Sequence, residues 1–112
     1  MYIVTGGAGF IGSAMVWKLN QEGIKDILVV DNLASSEKWK NLVNREFSEY
    51  LHRDTFRQMM EEDRLPKQIE GIIHLGACSS TTERNVDFLM ENNVRYSKML
   101  CKRAMERGIR FI

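Results

Sequence analysis

Apolar residues fall along the chain in short blocks whose spacing changes from one block to the next. Tyr2-Ile3-Val4-Thr5 is an unbroken β-favouring run and predicts a buried strand over 2–5. From Phe10 the spacing turns helical. Ile11, Met15 and Leu19 lie four apart with Ala14 beside them, which predicts a helix over 10–22 ended by Gly23. Residues 26–31 (DILVVD) are apolar without alternation, as in a strand covered on both faces. Residues 32–46 predict a loop with a short helix capped by Ser35 or Ser36. A third strand is expected near 46–51. A helix over 55–64 follows, with Asp54 as its cap and Phe56, Met59 and Met60 turned inward. Pro66 falls in the next connection. Residues 70–77 form a fourth apolar strand, and residues 86–107 a long helix that stops before Gly108. Tyr96, Leu100 and Ala104 make a core-facing stripe on it. Arg110-Phe111-Ile112 begins a fifth strand.

Strand and helix in alternation mean an α/β domain, a doubly wound parallel sheet with right-handed crossovers. The 112 residues suffice for one small domain, over 1–112. A strand just begun at position 110 suggests the N-terminal part of a longer protein, with any substrate domain elsewhere. A 44% hydrophobic and 28% charged composition excludes disorder. The net charge of +1 gives no electrostatic case for nucleic acid or a membrane surface. No apolar run approaches the ~20 residues of a membrane span, and no secretory signal stands at the start. Two cysteines, Cys78 and Cys101, fit a reducing, cytoplasmic setting.

The first connection carries the chemistry. Gly6, Gly9 and Gly12 stand as G-x-x-G-x-x-G between a strand and a helix. The first glycine permits a tight turn, the second lets backbone approach a pyrophosphate, and the third lets helix and strand pack closely. Backbone N–H groups at Phe10 and Ile11 then suit phosphate contact. Asp31 ends the second strand 19 residues past Gly12, near the separation expected for an acid that meets the adenosine ribose. Together these features predict a Rossmann-type dinucleotide site.

These residues also carry a family resemblance. TGGAGFIG (Thr5–Gly12) resembles the nucleotide-binding signature of the extended short-chain dehydrogenases/reductases, and VVDNL (Val29–Leu33) their ribose-holding segment. Most sugar-nucleotide members have an H-x-A-A stretch where this chain has IIHLGACSSTTE (Ile72–Glu83). That version is similar to the branch acting on ADP-heptose, as are Lys38, Asn41-Leu42 and ENNVRYSK (Glu91–Lys98). The resemblance covers Met1 to Ile112 and is looser over about 44–70.

The resemblance implies an NADP-using, cytoplasmic, homo-oligomeric epimerase of lipopolysaccharide core synthesis. It would invert one carbinol centre of ADP-heptose through a transient ketone. It also implies that Asn32, Lys38 and Arg53 surround the 2′-phosphate, with Arg53 where the family has Lys. An acid at position 31 by itself favours NAD, which stays the alternative cofactor. Leu75, Gly76, Ala77, Cys78 and Ser79 leave the fourth strand at the edge where ligands bind, and Leu75 stands where an acid is expected. Asn92 is a cofactor contact by resemblance. Cys78 reads as a small apolar residue rather than a nucleophile, and His74 as a hydrogen-bonded core histidine. His52 and His74 do not have metal-ligand spacing, so no metal is assigned.

Relatives use a Tyr-x-x-x-Lys pair and a Ser/Thr past the fifth strand. Here Tyr2, Tyr50 and Tyr96 are followed four positions on by Gly6, Asp54 and Leu100. No catalytic residue is therefore assigned within the chain, and this segment alone is expected not to epimerise. Two other readings stay open. One is another extended reductase, a UDP-sugar 4-epimerase or a nucleotide-sugar 4,6-dehydratase, against which the Gly76–Ser80 stretch argues. The other is a non-catalytic cofactor sensor on the same fold.

Overall fold

The computed structural model describes residues 1–33, 36–65, 68–76 and 86–112, with side chains from 93 onward in the last range. The strands are β1 (Tyr2–Thr5), β2 (Ile27–Asp31), β3 (Glu49–His52), β4 (Gly71–His74) and β5 (Arg110–Phe111). They form one parallel sheet in the order β3-β2-β1-β4-β5. Three α-helices connect them: α1 (Phe10–Gln21), α2 (Arg53–Glu61) and α3 (Val86–Arg107). A turn of 3-10 helix at Lys38–Leu42 lies between β2 and β3. The chain order reverses direction between β1 and β4, so their carboxyl ends flank the crevice where such sheets bind ligands.

The continuous apolar strands are explained by two cores, one on each side of the sheet. Ile3, Leu28, Val30 and Ile72 face one side with Phe56 and Met60 of α2 and Tyr96, Leu100 and Ala104 of α3. Val4, Ile27, Val29 and Ile73 face the other with Val16 and Leu19 of α1. Successive strand residues alternate between the two layers, so β2 is buried at every position and β1 and β4 at three of four each.

Several local expectations change. β4 spans Gly71–His74 rather than 70–77, and the 3-10 turn has Glu37 rather than Ser36 at its N-cap, Ser35 lying outside the described residues. On α1 the buried face is Gly12, Ser13, Val16 and Leu19, whereas Ile11 and Ala14 are exposed. The helix is turned by the need to bring Gly12 onto the β1 turn. β3 starts at Glu49 rather than at 46. Asn20 grips both the N–H and the carbonyl of Glu46, which holds that stretch to α1 instead of the sheet. On α2 the cap is His52, whose Nδ1 accepts from the Asp54 N–H at 3.1 Å, and Asp54 lies inside the first turn. Phe56 and Met60 are buried, and Met59 is half-buried. Pro66 lies outside the described residues.

Candidate functional site

The loop between β1 and α1 is held by its own backbone. Gly6 has φ +69°, and its N–H donates to the Val30 carbonyl at 2.7 Å. A Cβ at Gly6 would lie 2.8 Å from the Leu75 carbonyl. A Cβ at Gly12 would lie 2.0 Å from the Gly6 carbonyl oxygen, so helix and turn meet with no room for a methyl group. Gly9 differs. Its backbone is extended (φ −72°, ψ 175°), and among the described residues a Cβ there would meet only the Gly6 oxygen, 3.3 Å away. The fold demands glycine at 6 and 12 far more than at 9. Bare backbone at 9 therefore fits an approaching ligand.

Gly9 is also the N-cap of α1. It offers no side-chain acceptor, and no acid occupies the first turn. The N–H groups at the helix start have no capping side chain among the described residues, and they sit at the positive end of the helix dipole. Phe10 and Ile11 flank that end, 88% and 67% exposed.

Asp31 stands at the end of β2, buried, and binds the loop. Its Oδ2 accepts from the Ala8 N–H at 2.9 Å, and its Oδ1 accepts from the Asn32 N–H at 2.7 Å and from the Lys38 ammonium at 3.3 Å. The segment from Lys38 to Arg45 straps the same loop. Asn41 Nδ2 donates to the Ala8 carbonyl at 2.8 Å, and Arg45 Nε to the Ser13 carbonyl at 3.0 Å. Both backbone polar groups of Ala8 are thus held by side chains. Sequence reasoning noted Asn41 only as part of a resemblance and missed Arg45. Asn41 lies on the 3-10 turn and Arg45 beyond its end, so no helical spacing links them to Lys38 and apolar periodicity gave no signal for either.

Asp31 pairs in register with His52, so Arg53 starts α2 beside the carboxyl ends of β2 and β3. Asp31, Asn32, Lys38 and Arg53 are therefore brought to one edge of the sheet. Just past β4, Leu75 is 40% exposed at that edge. Gly76 is small because it packs on β1, where a Cβ would lie 3.0 Å from the Gly6 nitrogen. Ala77, Cys78 and Ser79 lie outside the described residues. Asn92 lies on α3, with its side chain outside them too.

His74 has partners for both ring nitrogens. Thr5 Oγ1 lies 2.6 Å from Nδ1, and Ser97 Oγ lies 2.9 Å from Nε2. Burial lowers its pKa from the ordinary 6.5. The Tyr96 ring packs edge-on against it at 5.3 Å.

Comparison with known proteins adds the family. The model of the NAD dependent epimerase/dehydratase family matches residues 2–112. The chain belongs to that family. Among curated epimerases of the family, the ADP-L-glycero-D-manno-heptose-6-epimerase of Nitratidesulfovibrio vulgaris is 68% identical over all 112 residues. The enzyme of that name from Fusobacterium nucleatum is 49% identical over the same span. The chain spans 35% and 34% of the length of these two relatives. The family fold recurs in solved structures. The Helicobacter pylori ADP-L-glycero-D-manno-heptose-6-epimerase superposes with a TM-score of 0.78 at 24% identity, over 98% of this chain and 37% of that one. UDP-glucuronic acid 4-epimerase from Bacillus cereus, in complex with NAD, gives 0.76 at 20% identity, over 98% and 38%. At those identities the structural likeness speaks for the epimerase fold alone.

Proposed function

We propose that this chain is the cofactor-binding part of an NADP-using ADP-heptose 6-epimerase. The 68% identity over all of this chain, which is 35% of a curated enzyme of that name, supports the substrate. The observation that carries the cofactor reading is the uncapped start of α1 beside Gly9, with the charged groups of β2 and α2 at the same edge.

Each residue then has a task. The N–H groups of Phe10 and Ile11 bind pyrophosphate oxygens, and bare Gly9 lets them come close. Asp31 accepts from a ribose hydroxyl on the lone pair of Oδ2 left over by Ala8, since Asn32 and Lys38 occupy Oδ1. Lys38 offsets the Asp31 charge, so a 2′-phosphate is not repelled there. Asn32 and the planar fork of Arg53 complete its shell. Leu75 and Gly76 leave β4 at the same edge and are assigned to the cofactor, and the family resemblance extends that assignment to Ala77, Cys78, Ser79 and Asn92. A bound nicotinamide would supply reversible hydride transfer at the sugar carbinol, with no net oxidation over the cycle. The acid/base groups belong to the part of the enzyme beyond this chain. The reading places the enzyme in the cytoplasm as a homo-oligomer.

The test is titration of the full-length protein with NADP and NAD, followed by assay on ADP-heptose. Tighter NADP binding and inversion at the heptose 6-position are expected. Tighter NAD binding overturns the cofactor choice. Turnover of a UDP-sugar instead of ADP-heptose moves the assignment to a 4-epimerase or a 4,6-dehydratase, and binding without any turnover moves it to a sensor.

A further inference from the structure

Thr5, His74 and Ser97 form a chain of hydrogen bonds across β1, β4 and α3, and the direction of each bond can be worked out. The Thr5 hydroxyl has one hydrogen and two lone pairs. Its oxygen lies 3.1 Å from the Leu75 nitrogen and 3.1 Å from the Gly76 nitrogen, and both N–H groups donate to it. The Leu75 N–H is shared with the Thr5 carbonyl, also at 3.1 Å. With its lone pairs taken, Thr5 must donate its hydrogen to His74 Nδ1. That nitrogen is bare, so the neutral ring carries its proton on Nε2 and donates it to Ser97 Oγ.

The chain ends where the cofactor loop begins. The Leu75–Gly76 peptide lies against Gly6: a Cβ on Gly6 would be 2.8 Å from Leu75 C and O and 2.9 Å from Gly76 Cα. Whatever fixes Leu75–Gly76 therefore also fixes the turn out of β1.

We propose that His74 is a positioning residue for the dinucleotide loop, a neutral Nε2–H imidazole that locks Thr5 so that Thr5 can hold Leu75–Gly76 against Gly6. The proposal rests on reading that loop as the dinucleotide site. Protonation puts a second N–H at Nδ1, facing an oxygen with no lone pair to spare. The Thr5 hydroxyl must then turn and release one of its backbone donors. The ring's surroundings oppose that protonation. From β5 it meets the Phe111 ring at 5.8 Å, and from α3 the edge of Tyr96 and Ser97. The titratable group among these is the Tyr96 phenol, which burial holds neutral; the charges acting on that phenol are Arg53, Arg57, Asp31 and Asp54. The pKa of His74 itself is lowered by burial.

The full-length protein tests this in two ways. Nitrogen NMR of the imidazole should show the Nε2–H tautomer at pH 7.5; an Nδ1–H ring overturns the proposal. NADP affinity should be flat above pH 6.5 and fall below it, by no more than about tenfold per pH unit for one proton. His74→Gln keeps a donor toward Ser97 but does not titrate there. It should bind about tenfold more weakly at pH 7.5 and lose the acid fall. Retention of the wild-type pH profile in His74→Gln overturns the proposal. Thr5→Ser should keep wild-type affinity, and Thr5→Val should match His74→Gln; equal binding by Thr5→Val and Thr5→Ser overturns it. Where His74→Gln does not fold, Ser97→Ala decides, because removing the Nε2 acceptor must shift the ring's midpoint. A wild-type protein that binds neither NADP nor NAD overturns the cofactor reading instead. The tautomer and the pH-linked shifts of the Gly6 and Gly76 amides then decide the role of His74 by themselves.

Discussion

Helices α1 and α2 both start at the carboxyl edge of the sheet, yet they are built in opposite ways. α2 docks with large side chains, Phe56 and Met60, each fully buried. Both its ends are closed. His52 caps the start with Asp54 in the first turn, and Arg103 of α3 reaches the carbonyls of Met60 at 2.7 Å and Glu61 at 2.6 Å at the other. α1 docks at its start by the lack of a side chain, with Gly12 on the Gly6 turn. Its N-terminus has neither a capping side chain nor an acid. The contrast separates two uses of one element. α2 spends large side chains on packing and closes both ends, while its first residue, Arg53, is one of the proposed cofactor contacts. α1, the helix proposed to receive the pyrophosphate, gives up side chains at its start and has no side-chain cap there.

The largest effect should come from the side-chain-packed helix. Phe56→Ala removes a fully buried ring and should cost about 4 kcal/mol of unfolding free energy, read by urea titration of the full-length protein. A loss under about 1 kcal/mol would mean that α2 does not seal this face. Gly12→Ala asks the matching question of α1 by adding one methyl group. With 2.0 Å to the Gly6 oxygen it should cost about 3 kcal/mol, the upper range for overpacking. Ile11→Ala, two-thirds exposed, should change stability by less than about 0.5 kcal/mol. If Gly12→Ala is as stable as wild type, α1 is not seated on bare backbone.

Gly9→Ala sharpens the contrast between fold and ligand. The backbone there suits any residue, and the nearest contact gives by a few tenths of an ångström. Stability should fall by no more than about 1 kcal/mol, the scale of an altered N-cap. NADP affinity should fall at least about tenfold, because the methyl group occupies the approach to the pyrophosphate. Calorimetric titration beside urea unfolding separates the two. Equal losses in both would make Gly9 a structural glycine like Gly12.

What could be read from the sequence divides along the same line. β1, β2 and the Tyr96–Leu100–Ala104 stripe of α3 were legible because burial there is carried by apolar side chains, which leave a period. On α1 Leu19 was placed correctly and Met15 packs half-buried on the same core, but Ile11 is exposed and Gly12 takes its place at the start of the helix. Its docking signal is an absence of side chains, and apolar periodicity cannot register that. The true cap of α2 was missed because His52 accepts through a ring nitrogen, outside the usual Ser, Thr, Asp and Asn set. The glycine loop and Asp31 were legible as a motif. The bonds that hold them were not, because Asn41 on Ala8, and Thr5 with His74 and Ser97, join positions far apart in the chain. Strand order alone brings them together.

The smallest effect tests the contrast most directly, by giving α1 the feature that closes α2. Ile11→Glu puts a carboxylate in the first turn of α1, as Asp54 is in the first turn of α2. The side chain at 11 is exposed, so no packing is lost. A negative charge near the helix start interacts favourably with the dipole, so unfolding free energy should rise by about 0.5 kcal/mol. The same charge stands where the pyrophosphate would sit, so NADP binding should weaken, and more so at low salt, where screening is least. Stability and binding then move in opposite directions, which loss of folding cannot produce. If binding is unchanged at low salt while stability rises, the start of α1 is not where the phosphates lie.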